Sequence, residues 1–365
     1  MRILLLGEYS NVHATLAEGL RSLGHEVTVA SNGDFWKNYP RDIDFARRPG
    51  KAGGMVLALK IFANLHRMKG YDIVQFINPI FLELKAEHIF KIYSYLKKHN
   101  RRTVLCGLGM DWYWVNTCVN DKPLRYSDFN IGNTIRNNTD AVREMKDWLG
   151  TSKERLNRLI AGDADAIITG LYEYQTCYER HFPEKTFFIP MPIKTEPVVP
   201  FVNTDGRLHI FIGINKTRSE YKGTDIMLKA AEAITKEYPQ KAVLKRVESV
   251  PFAEYKNQMN RSDAILDQLY SYTPAMNALL AMSKGIICIG GGEKENYTIL
   301  NENKLRPIIN VHPDEDSVYD ALKELILSDK ERILELKRQS IEYVAKHHDY
   351  IKVARQYEKI YKSII

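Results

Sequence analysis

Apolar residues along this chain fall into short unbroken runs, each followed by a segment in which they recur every three or four positions. "RILLLG" is the continuous run expected of a strand buried on both faces of a parallel sheet. "HATLAEGLRSLGH" follows it with Leu16, Leu20 and Leu23 at helical spacing. Strand "EVTVAS", helix "GGMVLALKIFANLHRM", strand "DIVQFI", helix "ELKAEHIFKIYSYLKKH" and strand "RTVLCGL" continue the alternation. Residues 112–160 interrupt it with Trp, Tyr, Asn and Asp and then a charged helical stretch, which predicts an insertion over a pocket. "DAIITG", a Tyr-rich helix and "TFFIPMP" complete this half. The Pro-rich, non-periodic "IPMPIKTEPVVPFVNTDG" (189–206) has the character of a linker. The alternation then restarts with strand "LHIFIGI", helix "GTDIMLKAAEAITKEYP", strand "KAVLKRVES", helix "FAEYKNQMNRS" and strand "DAILDQL". "YSYTPAMNALLAMSKGIICIGGGEKENY" (270–297) reads as turn, short helix, strand, triple glycine and a second helix start. "PIINV" and two helices finish the pattern.

Two such runs around a Pro-rich hinge predict an α/β chain of two doubly wound, Rossmann-like domains. Their boundaries read as 1–195, a linker at 196–206, and 207 onward. Ligands in such sheets bind beyond the carboxyl ends of the strands, so facing domains imply an interdomain cleft. A length of 365 residues suits two cores. Apolar residues at 44% and charged residues at 27% fit a soluble globular protein, and no apolar run is long enough to span a bilayer. "MRILLLGEYS" lacks a small-residue cleavage site and reads as a first strand rather than a signal peptide. Cys106, Cys118, Cys177 and Cys288 form no CxxC pair, which favours a reduced, cytoplasmic protein without structural zinc. The net charge of +7 suits anionic lipid or phosphorylated substrates, or simply a basic surface. The densest basic stretch, "KIYSYLKKHNRR" (91–102), places Ile92, Tyr95 and Leu96 on one helical face. It is either a solvated helix end beside a core or a membrane-binding helix. No RNA-binding signature is present, so no nucleic acid partner is expected.

Four stretches after strands hold candidate chemistry. "GINKTRSEYKGTD" (213–225) gathers Lys216, Arg218 and Lys222 after Gly213. Cations there can neutralise a diphosphate and stabilise it as a leaving group. The alternative is a solvated turn. In the 270–297 stretch, Thr273 suits an N-cap, Pro274 a first helical position and Gly285 a helix end. Free amides at that helix start would face a phosphate. Gly291 and Gly292 permit close backbone approach. Glu293 and Glu295 can accept from sugar or ribose hydroxyls, or can merely complement a helix N-terminus. In "GEYSNVHATL" (7–16), Gly7, Glu8, Ser10, Asn11 and His13 stand at the cleft edge. His13 either orients an acceptor or is a satisfied helix-start histidine. The glycines do not fit GxGxxG, which disfavours a dinucleotide cofactor. In "CGLGMDWYWVN" (106–116), Asp111 with Trp112 beside it resembles a sugar site or an aromatic cluster with a turn carboxylate. Asn78 lies at another strand end.

The chain resembles a retaining glycosyltransferase of the GT-B fold, near glycosyltransferase family 4. The likeness rests on "MRILLLGEYSNVHATLAEGLRSLGHEVTVAS", "DADAIIT…IPMPI", the G…R…KGTD pattern and "ALLAMSKGIICIGGGEKE". It implies transfer of a hexose from a UDP- or GDP-sugar to a glycan or lipid-linked acceptor, with retention, without bound metal and without a permanent cofactor. It also implies an acceptor-side domain at 1–195, a donor-binding domain at 207–345 and a terminal helix, 346–365, that returns to the first. A surface-polysaccharide role and peripheral contact with the inner face of the plasma membrane follow as expectations. Arg218 and Lys222 match the family's diphosphate-gripping pair, with Lys216 an alternative for the Arg. Glu295 matches its later donor-pocket Glu. On this reading Arg218, Lys222, Asp111 and Glu293 serve catalysis. Gly7, Glu8, Gly213, Lys216, Tyr272, Thr273, Gly291, Gly292 and Glu295 contact the donor with the basic pair. Ser10, Asn11, His13, Asn78 and Trp112 face the acceptor. The departures are definite: the family's two glutamates fall on Tyr272 and Leu280, and its histidine after the fourth strand is absent. Relocation of the acid contacts to Glu293 or Glu295 would keep the chemistry. A nucleotide-sugar epimerase on the same architecture and a non-catalytic binding partner are the competing readings.

Overall fold

In the computed structural model, residues 1–215, 218–248 and 250–365 are described. The chain divides into two compact units. The first comprises Met1–Asp121, Arg143–Pro192 and Tyr350–Ile365. The second comprises Lys122–Val142 and Ile193–Asp349.

The strands of the first half are β1 (Arg2–Leu6), β2 (Glu26–Ser31), β3 (Ile43–Asp44), β4 (Ile73–Phe76) and β5 (Arg102–Gly107). A small antiparallel pair, β6 (Asn130–Ile131) and β7 (Thr134–Ile135), precedes β8 (Ala166–Thr169) and β9 (Thr186–Phe188). The first unit carries a parallel sheet in the order β3-β2-β1-β4-β5-β8-β9. Both faces are covered, which is why its strands are predominantly apolar. Leu4 and Leu6 of β1 join one core with Val74, Phe76, Leu105 and Ile167. Ile3 and Leu5 point the other way and pack with Val27, Val29, Ile73 and Val104. Each large apolar side chain so buried contributes about 1.5–3 kcal/mol. The helix Tyr350–Ile364 closes the second face through Val353, Ala354, Tyr357 and Tyr361. It lies so close to the helix Val12–Ser22 that a Cβ on Gly19 would sit 2.6 Å from the Tyr350 carbonyl oxygen.

The second unit carries β10 (Leu208–Ile214), β11 (Ala242–Glu248), β12 (Ala264–Leu266), β13 (Ile287–Gly290) and β14 (Ile309–Asn310). They form a parallel sheet in the order β11-β10-β12-β13-β14. Three helices follow β14, at Glu315–Leu327, Lys330–His347 and Tyr350–Ile364, where the periodicity suggests two. The extra break comes at Ser328 and Asp329, whose carboxylate accepts from Arg332 N at 2.7 Å and caps a new helix. The Pro-rich linker is tied to this unit by a buried ion pair. Lys337 Nζ reaches Asp263 at 2.6 Å and the Phe201 carbonyl at 2.7 Å.

Residues 122–142 differ from the sequence expectation, which runs the first domain unbroken to 195. They belong to the second unit. The cause is a set of polar contacts made by Arg125, Tyr126 and Arg136, described next.

Candidate functional site

Both sheets reverse strand order next to their first strand, and both reversals lie beside candidate residues. In the second unit the reversal is at β10 and β12. Gly213 ends close to Tyr255, whose Cε2 would be 2.4 Å from any Cβ there. Lys216 lies outside the described residues. Arg218 follows, with its guanidinium carbon 4.9 Å from the centre of the Tyr221 ring. Its Nε is buried and has no hydrogen-bond acceptor among the described residues. The short helix Ser219–Lys222 comes next, and the Lys222 carbonyl accepts from Leu269 N at 3.1 Å. Gly223, at φ +74, turns the chain into the helix Thr224–Glu237; this left-handed position favours glycine. Asp267 stands directly after β12. Burial pushes its carboxyl up, against the hydrogen bond from Asn277 and the charge of Lys222. Asn277 Nδ2 donates to Asp267 at 3.1 Å, and Tyr255 Oη donates to Asn277 at 3.1 Å.

The triple glycine makes its close approach to the protein itself. A Cβ on Gly291 would lie 2.2 Å from the Ser271 carbonyl oxygen, and one on Gly292 would lie 2.6 Å from Ile308 Cγ2. Glu293 follows, with its N–H donating to the Tyr272 carbonyl at 3.1 Å. Both candidate glutamates are engaged by the 122–142 segment. Arg125 Nη2 donates to Glu293 at 2.8 Å and Nη1 to Glu295 at 2.6 Å. Tyr126 Oη donates to Glu293 at 2.5 Å. Arg125 N donates to the Tyr272 hydroxyl at 2.7 Å, and its guanidinium carbon sits 4.8 Å from the Tyr272 ring centre. Burial raises the Tyr272 hydroxyl to about 12. Burial works against the Glu295 carboxylate too, but its hydrogen bond with Arg125 and that residue's charge outweigh it and hold its pKa low. Arg136 completes the attachment. It donates to the Glu220 carbonyl at 2.6 Å and the Tyr221 carbonyl at 3.1 Å, with its guanidinium carbon 3.4 Å from the Tyr270 ring centre.

Thr273 is not a helix cap. The helix runs Met276–Met282 and its N-cap is Ala275, with no side-chain hydrogen bond. Ser271 Oγ donates to the Thr273 carbonyl at 2.6 Å, and this turn delays the helix start. Leu280 is half-buried beside Lys256, Asn260 and Lys284.

In the first unit the candidate residues are largely committed to the fold. Gly7, at φ +84, leaves no room for a Cβ, which would meet Ile77 Cγ2 at 2.4 Å. Glu8 is buried and accepts from His13 N at 3.3 Å and Ala14 N at 2.8 Å, so it satisfies two free amides in the first turn of the helix Val12–Ser22, whose N-cap residue is Asn11. Burial pushes its carboxyl up to about 8 in spite of those donors. His13 is fully buried. Its Nδ1 is 2.8 Å from the Gly7 carbonyl, which makes Nδ1 the protonated nitrogen. Its Nε2 then accepts from Gln75 at 3.1 Å, and Gln75 accepts from Tyr361 at 2.7 Å. Burial lowers the imidazole to about 4. The ring is therefore a neutral structural residue and has no nitrogen left to orient an acceptor. Asn78 pins the 108–110 turn by donating to the Leu108 and Met110 carbonyls at 2.9 and 3.0 Å, and it accepts from Ile80 N. Ser10 N donates to Asp34 at 2.8 Å, and Asn11 adopts the left-handed conformation at φ 73. Asp111 is fully buried and accepts from Trp114 N at 2.8 Å and Tyr178 Oη at 2.6 Å. It is the N-cap of the helix Trp112–Asn116, and the turn-carboxylate reading applies. Trp112 N is held by Asn157, and Arg158 covers its ring.

Sequence reasoning missed Asp267, Asn277 and Tyr255, although Asp267 stands at a predicted strand end. It also missed Arg125, Tyr126 and Arg136. Their partners lie as far as 170 residues away in sequence, which leaves no local signal.

No family model and no curated protein sequence matches the chain. Solved structures do. Sucrose-phosphate synthase from Thermosynechococcus elongatus is 14% identical, with TM-score 0.62 over 100% of this chain and 99% of that one. Anabaena HepE, in complex with UDP and glucose, is 12% identical, with TM-score 0.58 over 100% of both chains. UDP-GlcNAc 2-epimerase from Neisseria meningitidis, bound to UDP-GlcNAc, is 10% identical, with TM-score 0.55 over 98% of this chain and 99% of that one. At these identities the likeness is one of fold, and the fold of this chain is the two-domain α/β architecture of the GT-B glycosyltransferases.

Proposed function

We propose that this protein acts on a nucleotide sugar, and that it transfers a hexose from a UDP- or GDP-sugar to a glycan or lipid-linked acceptor with retention. The observation that carries the reading is Arg218: its buried Nε–H has no acceptor among the described residues and stands at the strand-order reversal of the second unit. A buried donor without an acceptor costs stability, and a diphosphate oxygen would satisfy it. Lys222 adds a second cation at the end of the short helix that Arg218 precedes. Negative charge grows on the diphosphate as the glycosidic bond breaks, and preplaced cations stabilise it without a metal. Glu293, Glu295 and Tyr272 form the sugar- and ribose-facing side once Arg125 withdraws. Solved neighbours whose names include UDP, glucose and UDP-GlcNAc support the same ligand class.

Epimerases share this fold, which supports inversion of a donor stereocentre as a second reading. One experiment separates the cases. Thermal shifts are measured with UDP, GDP, ADP and their sugars, with and without magnesium, on the wild type and on Arg218→Ala plus Lys222→Ala. A ligand at a hundred times its dissociation constant adds roughly 2.7 kcal/mol to the native state. Stabilisation by one nucleotide family, lost in the double variant, is the expected result. The stabilising sugar nucleotide is then incubated alone and with acceptors. An altered donor without acceptor means epimerisation, and a product only with acceptor means transfer. No shift with any nucleotide sinks both readings in favour of a non-catalytic protein.

A further inference from the structure

The helix Gly50–Asn64 of the first unit turns an apolar face outward. Leu57 and Ile61 are buried against the core, while Met55, Leu59 and Phe62 are 69%, 66% and 76% exposed. Their spacing puts these three on one helical stripe. Val56 and Ala63 are exposed as well. No other α-helix among the described residues exposes more than one large hydrophobic side chain.

The charge that this segment itself carries has one sign. From residue 46 to residue 69 the chain contains no Asp or Glu, yet it holds Arg47, Arg48, Lys51, Lys60, Arg67 and Lys69. Arg47 and Arg48 are exposed before the helix, and Arg67 and Lys69 are exposed after it. Lys60 is the exception, ion-paired to Asp44 at 3.4 Å. The basic helix Ala86–His99, the other candidate for a lipid contact, buries Leu96 and packs Ile92 and Tyr95 against the core, so its apolar face is not available.

We propose that the helix Gly50–Asn64 docks this protein on an anionic lipid bilayer. The helix is apolar on both sides, one packed on the core and the other exposed, and an exposed apolar stripe flanked by cations binds an anionic lipid surface through buried apolar area and charge attraction. Met55, Leu59 and Phe62 enter the acyl boundary, and the flanking arginines and lysines meet the lipid phosphates. At 15 residues the helix is too short to span the hydrocarbon core and lies along it. A second copy of this chain suits the face less well. A two-fold contact sets the same patch against itself and would bring like-charged rims together. The proposal goes beyond the reaction and stands whichever sugar chemistry the protein performs.

The test is co-sedimentation with vesicles of phosphatidylcholine alone or mixed with phosphatidylglycerol, at low and high salt. The full chain should bind the anionic vesicles and bind phosphatidylcholine at least tenfold less. Leu59→Glu with Phe62→Glu should lower binding to anionic vesicles at least tenfold without lowering the melting temperature, since both side chains are exposed. Arg67→Gln with Lys69→Gln keeps the apolar stripe and should weaken binding to anionic vesicles only. Absence of sedimentation with anionic vesicles overturns the proposal. So does a double-Glu variant that binds as the wild type does. Light scattering that finds a dimer abolished by the double-Glu variant, with no vesicle binding, assigns the face to a second copy instead.

Discussion

Arg125 Nη2 lies 2.8 Å from Glu293 Oε2 although 168 residues separate them in sequence. The same guanidinium binds Glu295, so one cation holds two neighbouring carboxylates of the second unit. Removing it leaves Glu293, which is buried, and Glu295, which is partly buried, without their shared cation. Arg125→Ala should cost about 1–2 kcal/mol, less than a fully buried pair because about half of the arginine side chain is exposed. Glu293→Gln with Glu295→Gln in the Arg125→Ala background should recover much of that loss, because the uncompensated charge is then gone. Urea denaturation of the four proteins measures the coupling. Strict additivity would show that the contact contributes nothing.

The same contact bears on the proposed donor site. Arg125, on both glutamates, and Tyr126, on Glu293, occupy acceptor positions for which sugar hydroxyls would compete. Arg125→Ala should therefore tighten binding of the sugar conjugate relative to the bare nucleotide, by about fivefold if one competing interaction of roughly 1 kcal/mol is removed. Isothermal titration with a nucleotide and its sugar conjugate reads the ratio. An equal loss of affinity for both ligands would instead make Arg125 part of the diphosphate grip.

Gly291 offers a steric test of the glycine loop. Its missing Cβ would fall 2.2 Å from the Ser271 carbonyl oxygen, a contact with backbone that no rotamer change relieves. Gly291→Ala should destabilise the protein by roughly 1–3 kcal/mol as the 271–273 turn moves away. Gly132→Ala is a useful comparison for space alone, since no atom of the described residues lies within 4 Å of that site, although its φ of +53 adds strain. Thermal denaturation that shows Gly291→Ala unchanged would mean that the turn yields freely.

The contrast between what was legible and what was not follows from range. The strands of both sheets could be read directly, because parallel strands buried on both faces form near-continuous apolar runs, as Ile3, Leu4, Leu5 and Leu6 do. Helices packed on such sheets show their period for the same reason. The polar groups at strand ends were also visible, but their duties were not. Glu8 and Asp111 have the sequence context of reactive carboxylates and instead accept from free amides at helix starts, since that duty and a catalytic acid ask for the same residue type in the same turn. His13 looks free in sequence and is consumed by Gly7 and by Gln75, which lies 62 positions away. The transfer of 122–142 to the second unit was illegible, because the residues that hold it, Glu220, Tyr221, Tyr272, Glu293 and Glu295, come far later in the chain.

Glu8 and His13 together predict how stability depends on pH. The folded carboxyl of Glu8 titrates near 8, above its unfolded value, so its contribution is complete below about pH 4.5 and is lost as pH rises through 8. The folded imidazole of His13 titrates near 4, below its unfolded value near 6.5, so its contribution is complete above that and is lost as pH falls through 4. Between these limits the two slopes oppose each other up to pH 6.5. From pH 6.5 to pH 8 the Glu8 slope stands alone, and stability should fall by roughly 2 kcal/mol. Glu8→Gln keeps an acceptor for His13 N and Ala14 N but cannot ionise, and it should flatten that window. Unfolding free energies by urea at half-unit pH steps for both proteins decide the matter. A wild type that is flat from 6.5 to 8, or a Glu8→Gln variant that keeps the slope, would place the titration elsewhere.

Lys337 and Asp263 supply the sharpest prediction on the linker. Their side chains are 1% and 7% exposed, and the ammonium also holds the Phe201 carbonyl. Asp263 further accepts from Asn203 and from His209 N, so it joins the linker to the edge of β10. Lys337→Met removes the cation and leaves a buried carboxylate, at a cost of about 3–5 kcal/mol. Asp263→Asn retains acceptor capacity for His209 N and should cost less than the lysine change. Adding Asp263→Asn to Lys337→Met should then be less destabilising than the sum of the two, because the unpaired charge disappears. Limited proteolysis after residues 196–206 gives a second readout, since release of the Phe201 carbonyl should speed cleavage there in Lys337→Met. Unchanged stability with unchanged cleavage would mean that the linker is held by other contacts and that the buried pair is incidental to it.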